Sequence, residues 1–158
     1  MKNREIAAML FNISALLERQ HGNPYRIRAY QRAARNLLRM RESVAARAAA
    51  GEPLGVPKLG KSLTAKIGAL ATDNPLPFYE ELCEDLPDTM RLLLLKVPGM
   101  GPTIAERIQR DLGNTDAAGI RRAVTTGKLQ KVWGVGPKRT AAIVDALGGG
   151  EMRQEALL

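Results

Sequence analysis

The chain has 158 residues, 45% of them apolar and 4% aromatic, and carries a formal charge of +8 from 24 Lys+Arg against 16 Asp+Glu. That length holds one compact domain or two small ones, and a core that must be aliphatic and Ala-rich favours helix. The single cysteine, Cys83, and single histidine, His21, exclude an internal disulfide and a Cys/His metal site, while the basic balance suits an anionic partner, nucleic acid or a membrane surface.

The opening MKNREIAAML is charged at once and too short in apolar run for a signal peptide. The run Leu92–Leu95 is far too short to span a bilayer. The sequence therefore reads as a cytoplasmic protein without a membrane partner. A first helix is expected from Asn3 as N-cap, with Ile6, Met9, Leu10, Ile13, Leu16 and Leu17 at helical spacing, ending at Gly22. His21, in QHGN, belongs to that helix end rather than to a catalytic site. Asn23 and Pro24 restart a helix as N-cap and first residue, with Ile27, Tyr30, Ala34, Leu37 and Leu38 as its buried face.

The second helix also carries Arg28, Arg32, Arg35 and Arg39, spaced four, three and four apart. That spacing puts them in one stripe. No acidic residue lies between Glu18 and Glu42 to neutralise them. A charged stripe is commonly only a solvated face. Four arginines without carboxylates, each a planar fork of donors, point instead to phosphate.

Ser43 is expected to cap a third, Ala-rich helix closed by Gly51. Further helices are expected over Ser62–Leu70, Pro77–Asp85, Asp88–Lys96, Pro102–Leu112, Asp116–Thr125 and Pro137–Leu147. No alternating strand is visible. The acidic segment from Asp73 to Asp88 is expected to face away from an anionic partner. Gly148–Gly150 opens a flexible polar tail.

Three stretches align without gaps: VPKLGKSLTAKI from Val56, VPGMGPTIAERI from Val97 and VWGVGPKRTAAI from Val132. The shared frame is Val-x-(Gly)-apolar-Gly, then a helix with Ile seven residues past the second glycine. It resembles the helix-hairpin-helix motif, in which a tight glycine hairpin joins two helices. The expectation is that the glycines turn the backbone with positive φ and leave bare amides at the second helix's N-terminus. Unsatisfied N–H groups and the helix dipole favour an anion there. Pro102 and Pro137 fit the first helical position, where no N–H is missed.

GVPKLGKS, Gly55–Ser62, also satisfies the Walker A pattern. A nucleotide-binding P-loop needs a hydrophobic strand before its first glycine. Here an Ala-rich segment and a turn precede it, and Pro57 removes a backbone donor. The stretch reads as a degenerate hairpin. Lys58 stands where the sister loops have Gly99 and Gly134. Either it is a surface lysine tolerated on a poor turn, or it adds a phosphate contact.

Beyond the repeat, NREIAAML, NPYRIRAYQRAARNLLRM (Asn23–Met40) and FYEEL (Phe78–Leu82) resemble the N-terminal helical domain of bacterial family X DNA polymerases, and AVTTGKLQKVWGVGPKRT resembles the region just before their palm. The resemblance runs from residue 3 to about 147. It implies an all-α bundle with three helix-hairpin-helix motifs. Residues 1–87 would form an N-terminal domain of the polymerase beta type, and residues 88–148 a fingers-like tandem hairpin domain; residues 149–158 would be the tail. In the family the N-terminal domain binds gapped DNA near a downstream 5′-phosphate. The family's metal-binding aspartates lie in a palm beyond the matching region, so polymerase and nuclease activity are not expected.

The resemblance also implies one activity: a lysine on the helix after the first hairpin cleaves deoxyribose-phosphate through a Schiff base. The matching residue is Lys66, with Lys61, Lys58 and Arg26 as candidate neighbours and Tyr30 at the tyrosine near that pocket. Such a lysine must be unprotonated to attack. Tyr25 replaces a histidine of lyase-active animal members, and Ser62 a phosphate-binding lysine. Arg107 holds the same offset in the second repeat, where no lyase is expected, so a basic residue there also fits simple exposure near phosphate.

The expected function is therefore sequence-independent binding to gapped, nicked or duplex DNA in repair, in the cytoplasm with the nucleoid. RNA stays open, because nothing reads a 2′-hydroxyl. Gly99, Gly101, Thr103, Arg107, Gly134, Gly136, Lys138 and Arg139 would hold one strand. Arg26, Arg28, Arg32, Arg35, Arg39, Lys58, Gly60 and Lys61 would hold another segment or an end. Hairpin carbonyls, by resemblance, would take a sodium or potassium ion. The alternatives are a Lys66 lyase and a protein-interaction module anchored on Trp133.

Overall fold

The computed structural model describes residues 1–148; the expected tail, 149–158, lies outside the described residues. Every regular element among the described residues is helical, as the all-α reading requires. The chain forms two compact units, one over Met1–Leu82 and one from Cys83 onward.

In the first unit, α1 (Asn3–Arg19) packs along α2 (Pro24–Arg39). Ile6, Leu10, Ile13 and Leu16 of α1 and Tyr30, Ala34 and Leu37 of α2 are buried to within 2%. Asn3 does not cap α1. Its carboxamide instead donates to the Glu42 carbonyl at 2.7 Å and accepts from the Val44 amide at 3.0 Å. It thereby clamps the start of α1 to the far end of α2, which sets the two helices antiparallel. The Lys2 amide is answered by the Glu5 carboxylate at 2.9 Å.

The end of α1 also departs from expectation. The left-handed residue is His21, at φ 55°, while the Gly22 amide donates to the Leu17 carbonyl at 2.8 Å. At the next start, the Asn23 side chain accepts from the Tyr25 amide, with Pro24 as first residue. Leu38 is not buried as expected. It is 52% exposed in the last turn of α2, beside Arg35 and Arg39.

Ser43 accepts from the Ala46 amide and starts α3 (Val44–Ala49); Gly51, at φ 70°, follows its end. A connector leads to α4 (Lys61–Ala71), and α5 (Pro77–Cys83) closes the unit, two residues shorter than expected. Asn12 of α1 donates to the Tyr79 hydroxyl of α5 at 3.4 Å, so a buried polar group finds a buried partner.

In the second unit, α6 (Asp88–Lys96) packs on α7 (Pro102–Leu112). Gln109 of α7 accepts from the Met90 amide at 3.0 Å, satisfying one orphan donor of α6's first turn. Buried Thr89 donates to the Gly113 carbonyl and accepts from the Thr115 amide. Asp116 caps α8 (Ala117–Thr125). A single 3-10 turn, Leu129–Lys131, that periodicity did not reveal leads into α9 (Pro137–Ala146).

Candidate nucleic-acid interface

Each repeat folds as a turn that ends at a helix N-terminus. In the second and third loops the Met100 amide donates to the Val97 carbonyl at 3.3 Å, and Val135 to Val132 at 3.0 Å. The third residue of each turn has positive φ, 76° at Gly99 and 89° at Gly134. A four-residue turn with positive φ only at its third position is type II, which favours proline before the glycine. Pro98 stands there in the second loop.

The two glycines of each frame therefore have different tasks. Gly60, Gly101 and Gly136 were expected to share the positive φ, but they are extended, at φ −78°, −93° and −96°, and serve as N-caps of α4, α7 and α9. The apolar residues of each frame anchor the turn. Val97, Met100, Val132 and Val135 are buried to 5% or less, so the backbone between them is pushed to the surface. Val56 and Leu59 of the first loop are only half-buried.

Lys58 takes φ 57°, so the first loop turns like its sisters despite the lysine. A side chain in that region costs about 1–2 kcal/mol, partly offset because glycine loses more freedom on folding. Lys58→Gly is therefore expected to stabilise the first unit by about 0.5–1 kcal/mol, read as a rise in denaturation midpoint. If Lys58 also neutralises a phosphate, the same variant flattens the salt dependence of DNA binding by about 0.9 in log–log slope.

The Walker A letters fall on this loop. The element before Gly55 is α3, and no strand exists among the described residues, so the βα context of a phosphate-cradling P-loop is missing. Arg47 instead organises the connector, pairing with Glu42 and donating to the Pro53 carbonyl at 3.4 Å.

The arginine stripe lies beside this loop. Arg28, Arg32, Arg35 and Arg39 are all exposed, and none of them pairs with a carboxylate among the described residues. Arg28 lies over the Tyr25 ring at 4.9 Å. Asn36, in the same helix, donates to the Pro57 carbonyl at 3.3 Å. That bond docks the first hairpin on the arginine helix, and no sequence pattern announced it. Lys58 and Lys61 are exposed.

Lys66 sits one turn into α4. Its ammonium lies 2.6 Å from the Ser62 hydroxyl, 4.9 Å from the Phe78 ring centroid and 5.9 Å from that of Tyr30. The two rings stack with centroids 6.3 Å apart, and Arg26 covers Phe78 at 4.7 Å. Of the expected neighbours, the structure thus brings Tyr30 to Lys66, and brings Arg26 to the Phe78 ring that Lys66 also meets. Phe78 was the residue missed; it lies in the quoted FYEEL.

In the second unit, Thr103, Lys138 and Arg139 are exposed in the first turns of α7 and α9. Arg139 donates to the Gly134 carbonyl at 2.8 Å, and Arg107 lies 4.2 Å over the Trp133 ring. The arrangement presents backbone donors and unpaired cations to one kind of ligand, an anion with repeated charges.

Residues 1–74 match the family described as helix-hairpin-helix domain. Over 148 residues the chain is 26% identical to the DNA polymerase/3′-5′ exonuclease PolX of Bacillus subtilis. The match takes in 94% of this chain and 25% of that protein, so the chain spans about a quarter of the length of the curated relative it matches. The chain thus contains a helix-hairpin-helix region related to family X polymerases. No helix among the described residues is long and apolar enough to cross a membrane.

Proposed function

We propose that the chain binds DNA without sequence preference, through phosphates, and holds gapped or damaged DNA in repair. The observation that carries the reading is the shared loop: in each repeat a positive-φ residue turns the backbone and an extended glycine caps the following helix. Amides at such helix starts and unpaired arginines hold backbone phosphates, which carry no base identity. The similarity to PolX, named as a DNA polymerase and exonuclease, supports DNA as the polyanion. The hairpin carbonyls of Val97 and Val132 each accept one amide and keep a second lone pair, which suits a sodium or potassium ion bridging to phosphate.

The test is competition among gapped DNA with a 5′-phosphate, nicked duplex, intact duplex, single strand and duplex RNA at two salt concentrations. Gapped or nicked DNA is expected to bind most tightly and RNA more weakly, with affinity falling steeply as salt rises. Arg32→Ala and Arg35→Ala are each expected to flatten that dependence by about 0.9 in log–log slope. Tighter binding of RNA than of any DNA overturns the choice of partner. No DNA binding at low salt overturns the reading and favours a protein-interaction module.

A second reading rests on Lys66. An amine close to two aromatic rings and a hydroxyl, with Arg26 over one of those rings, supports attack by Lys66 on the aldehyde carbon of an abasic deoxyribose. Borohydride is then expected to trap a covalent adduct with abasic DNA that Lys66→Ala abolishes. Trapping that survives the substitution removes Lys66 from this role.

A further inference from the structure

We propose that Trp133 is a stacking platform for an unpaired base of a DNA strand; the inference rests on the phosphate-binding reading above. Trp133 is the chain's one tryptophan and is 76% exposed. It occupies the second position of its turn, where the sister loops carry Pro57 and Pro98, so the turn alone does not demand an aromatic ring.

The ring is held in place. Val132 and Val135, at 2% and 5% exposure, anchor the turn on either side. The Gly134 carbonyl between them is bound by Arg139. Ile104 and Arg107 of α7 press so closely on Gly134 that an added Cβ would lie 2.8 Å and 3.1 Å from them. The Arg107 guanidinium covers one face of the indole at 4.2 Å. A large aromatic surface is thus exposed yet pre-ordered, which lowers the entropy lost when a ligand stacks on it.

The surroundings choose the ligand. Lys131, Lys138 and Arg139 are exposed around the turn, and Arg107 is on the ring. The buried centre of a protein interface is depleted of charge, above all of lysine, so this ring suits a polyanion better. Trp133 precedes Gly136, the N-cap of α9, by three residues, so a strand with a phosphate at that N-terminus runs beside the ring. Inside a duplex both faces of a base are stacked. Only an unpaired or frayed base offers a face to the indole.

Because Trp133 is the one tryptophan, its emission reports the contact directly. The full chain is titrated with an oligothymidylate of about ten nucleotides, within the usual length of single-strand sites. The controls are a base-free deoxyribose-phosphate oligomer of equal length and a blunt duplex. Quenching is expected with oligothymidylate and not with the base-free oligomer. Trp133→Ala is expected to lower oligothymidylate affinity about 5- to 150-fold, and Trp133→Phe to retain most of it. Oligothymidylate that binds without quenching, and equally well to Trp133→Ala, overturns the platform and leaves phosphate binding standing. Failure to bind any of the three probes overturns both. Emission that shifts with protein concentration alone assigns the ring to a contact between copies and overturns the proposal.

Discussion

Replacing Gly101 and Gly136 together by leucine is expected to weaken duplex DNA binding about 100-fold while the protein stays folded. Both glycines sit in extended backbone that any residue adopts, at φ −93° and −96°, and nothing lies within 4 Å of where a Cβ at Gly136 would stand. The backbone therefore accepts a side chain at either position, and at Gly136 there is open space for it. The phosphate does not, because each leucine stands in front of the bare amides at the start of α7 or α9. Hydrogen bonds to a charged group contribute about 1.5–3 kcal/mol, so each lost site corresponds to roughly tenfold or more. The loss is expected to be equal on unrelated sequences, since phosphate contacts carry no base information. Circular dichroism and DNA titration of the same samples check both halves.

Gly134→Ala is expected to be more destabilising than the same methyl at Gly99, its counterpart in the second hairpin. At φ 89° any Cβ is strained, and this one would also meet Ile104 Cδ1 at 2.8 Å and Arg107 Nη1 at 3.1 Å. Both neighbours are ends of flexible side chains, so they can move, but together with the backbone strain the cost is about 2–3 kcal/mol. Gly99→Ala isolates the backbone contribution. Gly99 has φ 76° and open space around it, so about 1–2 kcal/mol is expected. For a unit of this size each kcal/mol lowers Tm by roughly 4–8 °C. Thermal denaturation followed by Trp133 emission reads the second unit selectively. Equal losses for the two variants would show that α7 does not press on the third turn.

The contrast between these glycines shows what sequence carried and what it did not. The repeat frame, Asp88, Pro102 and Gly113 marked α6 and α7 to the residue, because caps and proline act within a turn of themselves. The frame also marked Lys58 as the odd partner of Gly99 and Gly134, and its φ of 57° has the same sign as theirs. Which glycine of each pair turns the backbone was not legible, since both readings share the same letters. Long-range partners were hidden for a different reason. Asn3 read locally as a cap and is a clamp on residues 42 and 44. Asn36 reaches Pro57, and Arg107 reaches Trp133, through packing that periodicity does not encode. Leu38 matched the apolar spacing but lies at the edge of the stripe and is exposed, while its neighbour Leu37 is buried.

The candidate site was legible as a set of types more than as a geometry. Arginine spacing defined the stripe on α2. Its freedom from carboxylate partners is a property of the fold, because no acidic side chain from elsewhere among the described residues reaches it. Lys66 could be placed by the family resemblance, whereas the Tyr30–Phe78 stack near it required α5 to return to α2.

The most direct measurement of the central idea is the salt dependence of binding by the full chain to two duplexes of equal length and unrelated sequence. Contacts with phosphates alone predict the same affinity for both and the same steep, linear fall of log K with log salt, with a slope of about −0.9 for each phosphate neutralised. A flat salt dependence, or a preference of more than tenfold for one sequence, would contradict it.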